Sequence, residues 1–348
     1  MRSSTLLVAF HLAAGCLAAQ HGTARYQLVF ESTWSATTHP VQFPSGPHFS
    51  PLTGGTHTNA VDFWLPGALA SPGIEAMAEL GSTSPLTSEV QNAVNGGTAD
   101  QVLVFGGLSP SPGQYSTQFT ISADFPLFTL VTMLAPSPDW FVGVHGLPLL
   151  QNGDWVDSLV VPLIVYDAGT DDGTTYNSPN LEAVPHQPIA QVTTASGPFQ
   201  GLPGPVATFT FQRLWGTAAY GCSNPDDSLG VAGAARIGQV LTLSFDDPTG
   251  QFAAPALTGL ALSSAPAAAF PCGTLLPGLG LVPGQPGEVL LQSIDALAAG
   301  PLWSGAPAAL PLSLPMQTGL VGQRFYLQGL LANSRVAVTN GVSLLIGS

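Results

Sequence analysis

An all-β chain of two sandwich-like domains is the fold class this sequence predicts, on three observations. Glycine and proline number 40 and 32, and both break helix interiors while serving turns. Short apolar stretches alternate or run continuously, with turn chemistry between them at short intervals. Hydrophobic residues make up 45% of 348, enough for packed cores at a length that suits two domains. Only 7% of residues are charged, every basic residue is arginine, and the formal net charge is −14. That balance disfavours binding of a nucleic-acid backbone and docking to anionic lipid, and it suits hard cations.

Met1–Thr5 carries Arg2, Leu6–Ala14 is apolar, and Leu17-Ala18-Ala19 supplies small residues: a secretory signal peptide over 1–19. A buried N-terminal helix is the alternative. Leu12-Ala13-Ala14-Gly15-Cys16 also has the form of a lipobox, which would anchor the chain through a lipid on Cys16. Simple secretion is the favoured expectation, and no later stretch is suited to span a bilayer. Export leaves Cys222 and Cys272, either bridged or as two buried thiols.

Tyr26–Phe30 alternates as a first strand. Ile74–Leu80, behind Ser71-Pro72, and Thr87–Val94 read as the two helical segments. Val102–Phe105 and Gln118–Ser122 are expected strands. Phe125–Ala135, Trp140–Leu150 and Trp155–Tyr166 read as an up-down-up meander, with a hairpin at Asn152-Gly153. The first and third of these strands then finish at one end. Asp139, Asp167 and Asp171 therefore share a pole, with Asp172 beside them. Val206–Leu214 alternates as a closing strand. Beyond it, strands are expected at Val240–Phe245, Gly259–Leu262, Glu288–Ile294, Leu310–Leu314, Gly322–Leu330 and Val336–Ile346. The domains are accordingly 24–214 and 215–348.

Three carboxylates on facing loops raise one another's pKa unless a cation joins them, and calcium takes six to eight oxygens. The alternative is that these aspartates only cap turns. His39, His48 and His57 offer a zinc site and an exported metal-dependent hydrolase as a rival reading, although no zinc-binding helix motif is present. Trp34, Trp64, Trp140 and Trp155 are either core or the lining of a groove.

Several stretches have a familiar order: Trp34–Pro40, Pro47–Leu52, Ala70–Ile74 with Met77–Gly81, Pro136-Ser137-Pro138-Asp139-Trp140-Phe141-Val142-Gly143, and Tyr166-Asp167-Ala168-Gly169-Thr170-Asp171. Over about residues 24–214 the chain resembles the spondin domain, the amino-terminal module of F-spondin and mindin, in a bacterial secreted form. The resemblance implies a C2-like β-sandwich with calcium at a loop pole, held by Asp139, Asp167 and Asp171 with the Ala168 carbonyl. A family glutamate falls on Thr120 by gapless counting, which exchanges a carboxylate for a hydroxyl; Asp124 or water is the substitute considered. Animal members act in extracellular matrix and cell adhesion. The C-terminal part resembles a Gly/Ala/Pro-rich β module at the ends of exported planctomycete-type proteins. The expectation is a secreted, non-enzymatic, calcium-binding adhesion protein whose partner is an extracellular protein or glycan. A structural envelope component is the other alternative.

Overall fold

The computed structural model describes residues 21–193, 197–201 and 204–348. The expected leader and Cys16 lie outside the described residues. Strand β1 (Thr23–Ser32) alternates as its sequence does, burying Tyr26, Leu28 and Phe30 on one face. Short β2 (His48–Phe49) and β3 (Thr53–His57) follow. Helix α1 (Pro72–Leu80) starts at Ser71, whose Oγ accepts the Ile74 N–H, and stops at Gly81 in the left-handed region, φ 64°. Helix α2 is Leu86–Asn95. Then come β4 (Ala99–Val104), β5 (Gly113–Ser122), β6 (Leu127–Ala135) and β7 (Trp140–Pro148). The hairpin of β8 (Leu150–Gln151) and β9 (Asp154–Trp155) turns on Asn152 and Gly153, at φ 50° and 75°. Positive φ at both positions is what a two-residue type I′ turn demands. Strands β10 (Ser158–Leu163), β11 (Tyr166–Asp167), β12 (Ala190–Gln191) and the 14-residue β13 (Ala207–Tyr220) complete this half.

The C-terminal half adds β14 (Leu229–Ala232), β15 (Val240–Phe245), β16 (Ala256–Ser263), β17 (Thr274–Leu276) and β18 (Gly287–Val289). It ends with β19 (Ala296–Trp303), β20 (Ala308–Ser313), β21 (Arg324–Ala332) and β22 (Val336–Leu345).

The all-β class holds. One sheet has the order β19-β16-β21-β22-β13-β1-β5, with β10 also on β13; a second has β12-β11-β7-β6-β3-β4, with β2 on β6. Their facing surfaces bury Tyr26, Phe30, Phe119, Phe128, Phe209 and Phe211. Both helices cover the outer face of the second sheet through Ile74, Met77, Leu86 and Val90 against Val131 and Phe141. In the C-terminal half β14-β15-β20 packs Leu241, Leu243 and Phe245 over Leu260, Leu327 and Val342.

Three sequence readings need correction. The run Trp155–Tyr166 is not one strand of a meander: β10 crosses to pair with β13, and only β11 returns to β7. Pro162 falls on β10 near the end of that paired stretch, and the chain changes sheets soon after it. The division at 214/215 falls inside β13 rather than in a linker. This strand pairs with β1 over its first part and with β22 from Gly216 onward. The expected strand Glu288–Ile294 is shorter: Gly287–Val289 forms β18, and beyond it Leu291 makes an isolated antiparallel bridge with Pro266. Cys222 and Cys272 form a disulfide, Cα–Cα 5.1 Å, and the Glu288 carboxylate accepts the N–H groups of Cys222, Ser223 and Gly273 beside it.

Candidate metal centre

Three aspartates meet where β7 begins and β11 ends. Asp167 pairs with Trp140 in register, so Asp139, one residue earlier, sits next to it across the strands. The Ala168 N–H donates to the Asp139 carbonyl at 3.1 Å and fastens the two loops. Asp139 is fully buried. Its Oδ2 accepts the N–H groups of Thr170 (2.8 Å) and Asp171 (3.2 Å), whereas its Oδ1 has no hydrogen-bond partner. Asp167 Oδ1 accepts from the Gly169 N–H at 2.8 Å, and Oδ2 from the Trp140 ring N–H at 3.2 Å. Asp171 accepts from the N–H groups of Gly173 and Leu181. Gly169, at φ 74°, lies so close to the Gln187 carbonyl that a Cβ would sit 2.1 Å from its oxygen. Only glycine lets this loop fold against its neighbour. Asp172 is exposed.

Burial, then the nearby Asp167 charge, pushes the Asp139 carboxyl up to about 6, against the pull of its two backbone N–H donors. Burial also raises Asp167. An orphaned buried carboxylate oxygen beside two further carboxylates is a donor set that fits a hard cation. The three are nonetheless not drawn into a tight cluster. Among the described residues, the group of three or more potential ligands whose atoms all lie within 4.8 Å is Cys222, Cys272 and Glu288, and the disulfide commits two of those.

Thr120 does not belong to this pole. Strand β5 begins there, near Ser111, whose Oγ donates to the Trp34 carbonyl; Trp34 in turn reaches Tyr176, packed on Trp140. Thr120 lies near the opposite end of β5, opposite Arg25 on β1. Its hydroxyl accepts from the Arg25 guanidinium at 3.1 Å, a cationic neighbour that opposes metal ligation. Asp124 is equally remote, ahead of β6 where Asp139 follows it, and pairs with His21. Thr120 stands on β5 of the first sheet, whereas the strand that precedes the Asp139 loop is β6 of the second.

The histidines stay apart. His39 Nδ1 bonds the Thr38 hydroxyl, His48 Nδ1 the Gly46 carbonyl, and His57 sits buried between the Thr58 carbonyl and the Thr129 hydroxyl. Burial lowers His39 and His57, as expected of neutral core imidazoles. All four tryptophans considered for a groove are core residues.

The family model described as Spondin_N matches residues 24–200. The chain belongs to the spondin N-terminal domain family. Spondin-1 of Gallus gallus is 36% identical over 188 residues, covering 51% of this chain and 23% of its own length. Spondin-2 of Rattus norvegicus is 32% identical over 205 residues, 55% of this chain and 62% of its own length. Human Spondin-2 is 31% identical over 195 residues, 55% and 57% respectively. This chain thus spans less than two thirds of the spondin relatives it matches. The spondin match includes the Asp139 loop and the Asp167–Asp171 loop, and it stops short of β13.

The buried Asp139 carboxyl ties stability to pH. Its protonated form stabilises the metal-free fold fully below about pH 4, and that contribution is lost as pH rises through about 6, worth about 2–3 kcal/mol. In metal-free buffer, urea midpoints of the native chain should therefore fall relative to Asp139→Asn between pH 4.5 and 7. Parallel profiles for the two proteins would contradict a strained carboxylate.

Proposed function

We propose that this spondin-domain chain is an exported, non-enzymatic binding or adhesion protein stabilised by calcium at the Asp139 pole. The observation that carries the reading is Asp139 Oδ1, buried without a partner beside Asp167 and Asp171. These three carboxylates, with the Ala168 carbonyl, would hold the ion. Calcium bound there would supply the positive charge that three crowded carboxylates lack. The chain itself does the positioning: Asp139 ties the Thr170 and Asp171 backbone to the start of β7, and Asp167 fixes the Trp140 ring. The Asp167 and Asp171 oxygens each accept one hydrogen bond and keep a further lone pair, and Asp139 Oδ1 keeps both of its own.

The partner in this reading is an extracellular protein or glycan, and the net charge of −14 argues against nucleic acid. The disulfide suits an oxidising compartment, and no helix among the described residues is long and apolar enough to cross a membrane. Residues 215–348 would serve as a spacer or attachment module.

Thermal melting in calcium and in chelator tests the site. At free calcium 100-fold above its dissociation constant, stabilisation of about 2.7 kcal/mol is expected, and Asp139→Asn or Asp167→Asn should abolish it. Identical melting of the native chain in both buffers would reject the site and favour a purely structural envelope component, whose acidic loops are only turns.

A further inference from the structure

Four of the six arginines, Arg25, Arg213, Arg236 and Arg324, line one open cavity of about 930 Å³ in a chain of net charge −14. Its walls come from both halves: Arg25 on β1 and Gln118 on β5, Arg324 on β21, and Arg236 ahead of β15.

Two of these charges are consumed. Arg213 and Arg324 both bind Asp154 and Asp157. The other two pair with no Asp or Glu among the described residues. Arg25 donates only to neutral groups, Gln118 Oε1 at 3.4 Å and Thr120 Oγ1 at 3.1 Å. Arg236, exposed, donates through Nε to a main-chain oxygen of Ser348, the last residue of the sequence. Four guanidiniums thus face two aspartates and, at Arg236, the main-chain end at Ser348; even with that end counted as a carboxylate, positive charge is in excess here in a chain of net charge −14.

A guanidinium is a planar fork matched to carboxylate and sulfate oxygens. Gln118 and Gln212, both exposed in the lining, offer amide donors and acceptors of the kind that exchange hydrogen bonds with hydroxyls. The volume is that of a site for an organic ligand and is far larger than one ion needs. A long polyanion would run out of the cavity onto an acidic surface and be repelled.

We propose that this cavity binds a short acidic oligosaccharide, with Arg25 and Arg236 taking its carboxylate or sulfate groups and Gln118 and Gln212 its hydroxyls. None of the aspartates of the metal pole lines it, so binding is measured in chelator and stands or falls apart from calcium.

The test is titration calorimetry of the full mature chain at low salt with tetragalacturonate, a heparin-derived tetrasaccharide and neutral maltotetraose. At least one acidic tetrasaccharide should bind and weaken as salt rises, and Arg25→Gln with Arg236→Gln should weaken it about tenfold or more. Binding of tetragalacturonate alone assigns a carboxylate ligand; binding of the heparin fragment alone assigns sulfate. Arg236→Gln by itself, on an exposed loop, provides the reading should the double variant misfold, and is expected to show part of the loss. No binding of either acidic sugar at millimolar concentration, equal binding of maltotetraose, or unchanged binding by the variants would overturn the proposal.

Discussion

Replacing Arg213 by Met should destabilise the fold by about 3–5 kcal/mol, read as a shift in urea midpoint. The side chain is 1% exposed and its guanidinium contacts two carboxylates: Nη1 to Asp154 at 2.8 Å and Nε to Asp157 at 2.9 Å. Removing it leaves Asp154, mostly buried, with Arg324 as its remaining cation. Asp157 is more than half exposed and can turn to water, which places the expected loss toward the lower end of that range. Arg213→Lys should recover little, because an ammonium cannot bridge both carboxylates as the fork does. Burial opposes ionisation of Asp157, but Arg213 and then Arg324 hold its carboxyl below the ordinary value. Its contribution is therefore present above about pH 4 and fades as pH falls through the lowered value. Arg213→Met combined with Asp154→Leu should be less damaging than Arg213→Met alone, since no buried carboxylate is left unmatched. A loss under about 1 kcal/mol for the single variant would show that the network carries little.

Opening the disulfide should cost about as much. The bridge closes a loop with a sequence separation of 50, for which the chain-entropy relation gives about 4 kcal/mol. Cys222→Ser with Cys272→Ser should lower the melting temperature accordingly while leaving the far-ultraviolet circular dichroism unchanged. The reason is Glu288. Its carboxylate receives the N–H groups of Cys222 and Ser223 on one side of the bridge and of Gly273 on the other, so both backbones stay gathered after the sulfurs part. Those donors also hold Glu288 low, against its own burial. Glu288→Ala in the serine background should then lose further stability, because three backbone donors lose their acceptor. A melting temperature indifferent to reduction would refute this account.

Much of the architecture was legible because local chemistry and tertiary environment agree. β1 alternates in sequence and in burial; Ser71, Pro72 and Gly81 bracket α1; Asn152-Gly153 makes its turn. The convergence of Asp139 and Asp167 was also reached, although through a meander that does not form. β11 delivers Asp167 to β7 after the chain has visited the other sheet. β19 gave no signal: Ala-Leu-Ala-Ala-Gly-Pro-Leu-Trp lacks β-branched residues, and it is an edge strand exposed over most of its length. The Arg213 network was missed as well. Its partners are far apart in the chain, and only the scarcity of arginine in so acidic a protein marked each one as a residue in need of a partner.

Strand β13 runs through both halves, with a bulge at Leu214 where its register against β1 shifts by one residue. Cutting the gene at that point would not release two modules. It would tear one ribbon, strip β22 of the neighbour it meets over Gly216–Tyr220, and leave raw backbone on each fragment. A continuous strand, bulged only at Leu214, crosses the apparent seam, so a partner gripping the acidic pole and a surface holding the far end would be joined through paired backbone on both sides of that bulge. Force applied between them would be borne in shear along that pairing rather than absorbed by a flexible tether.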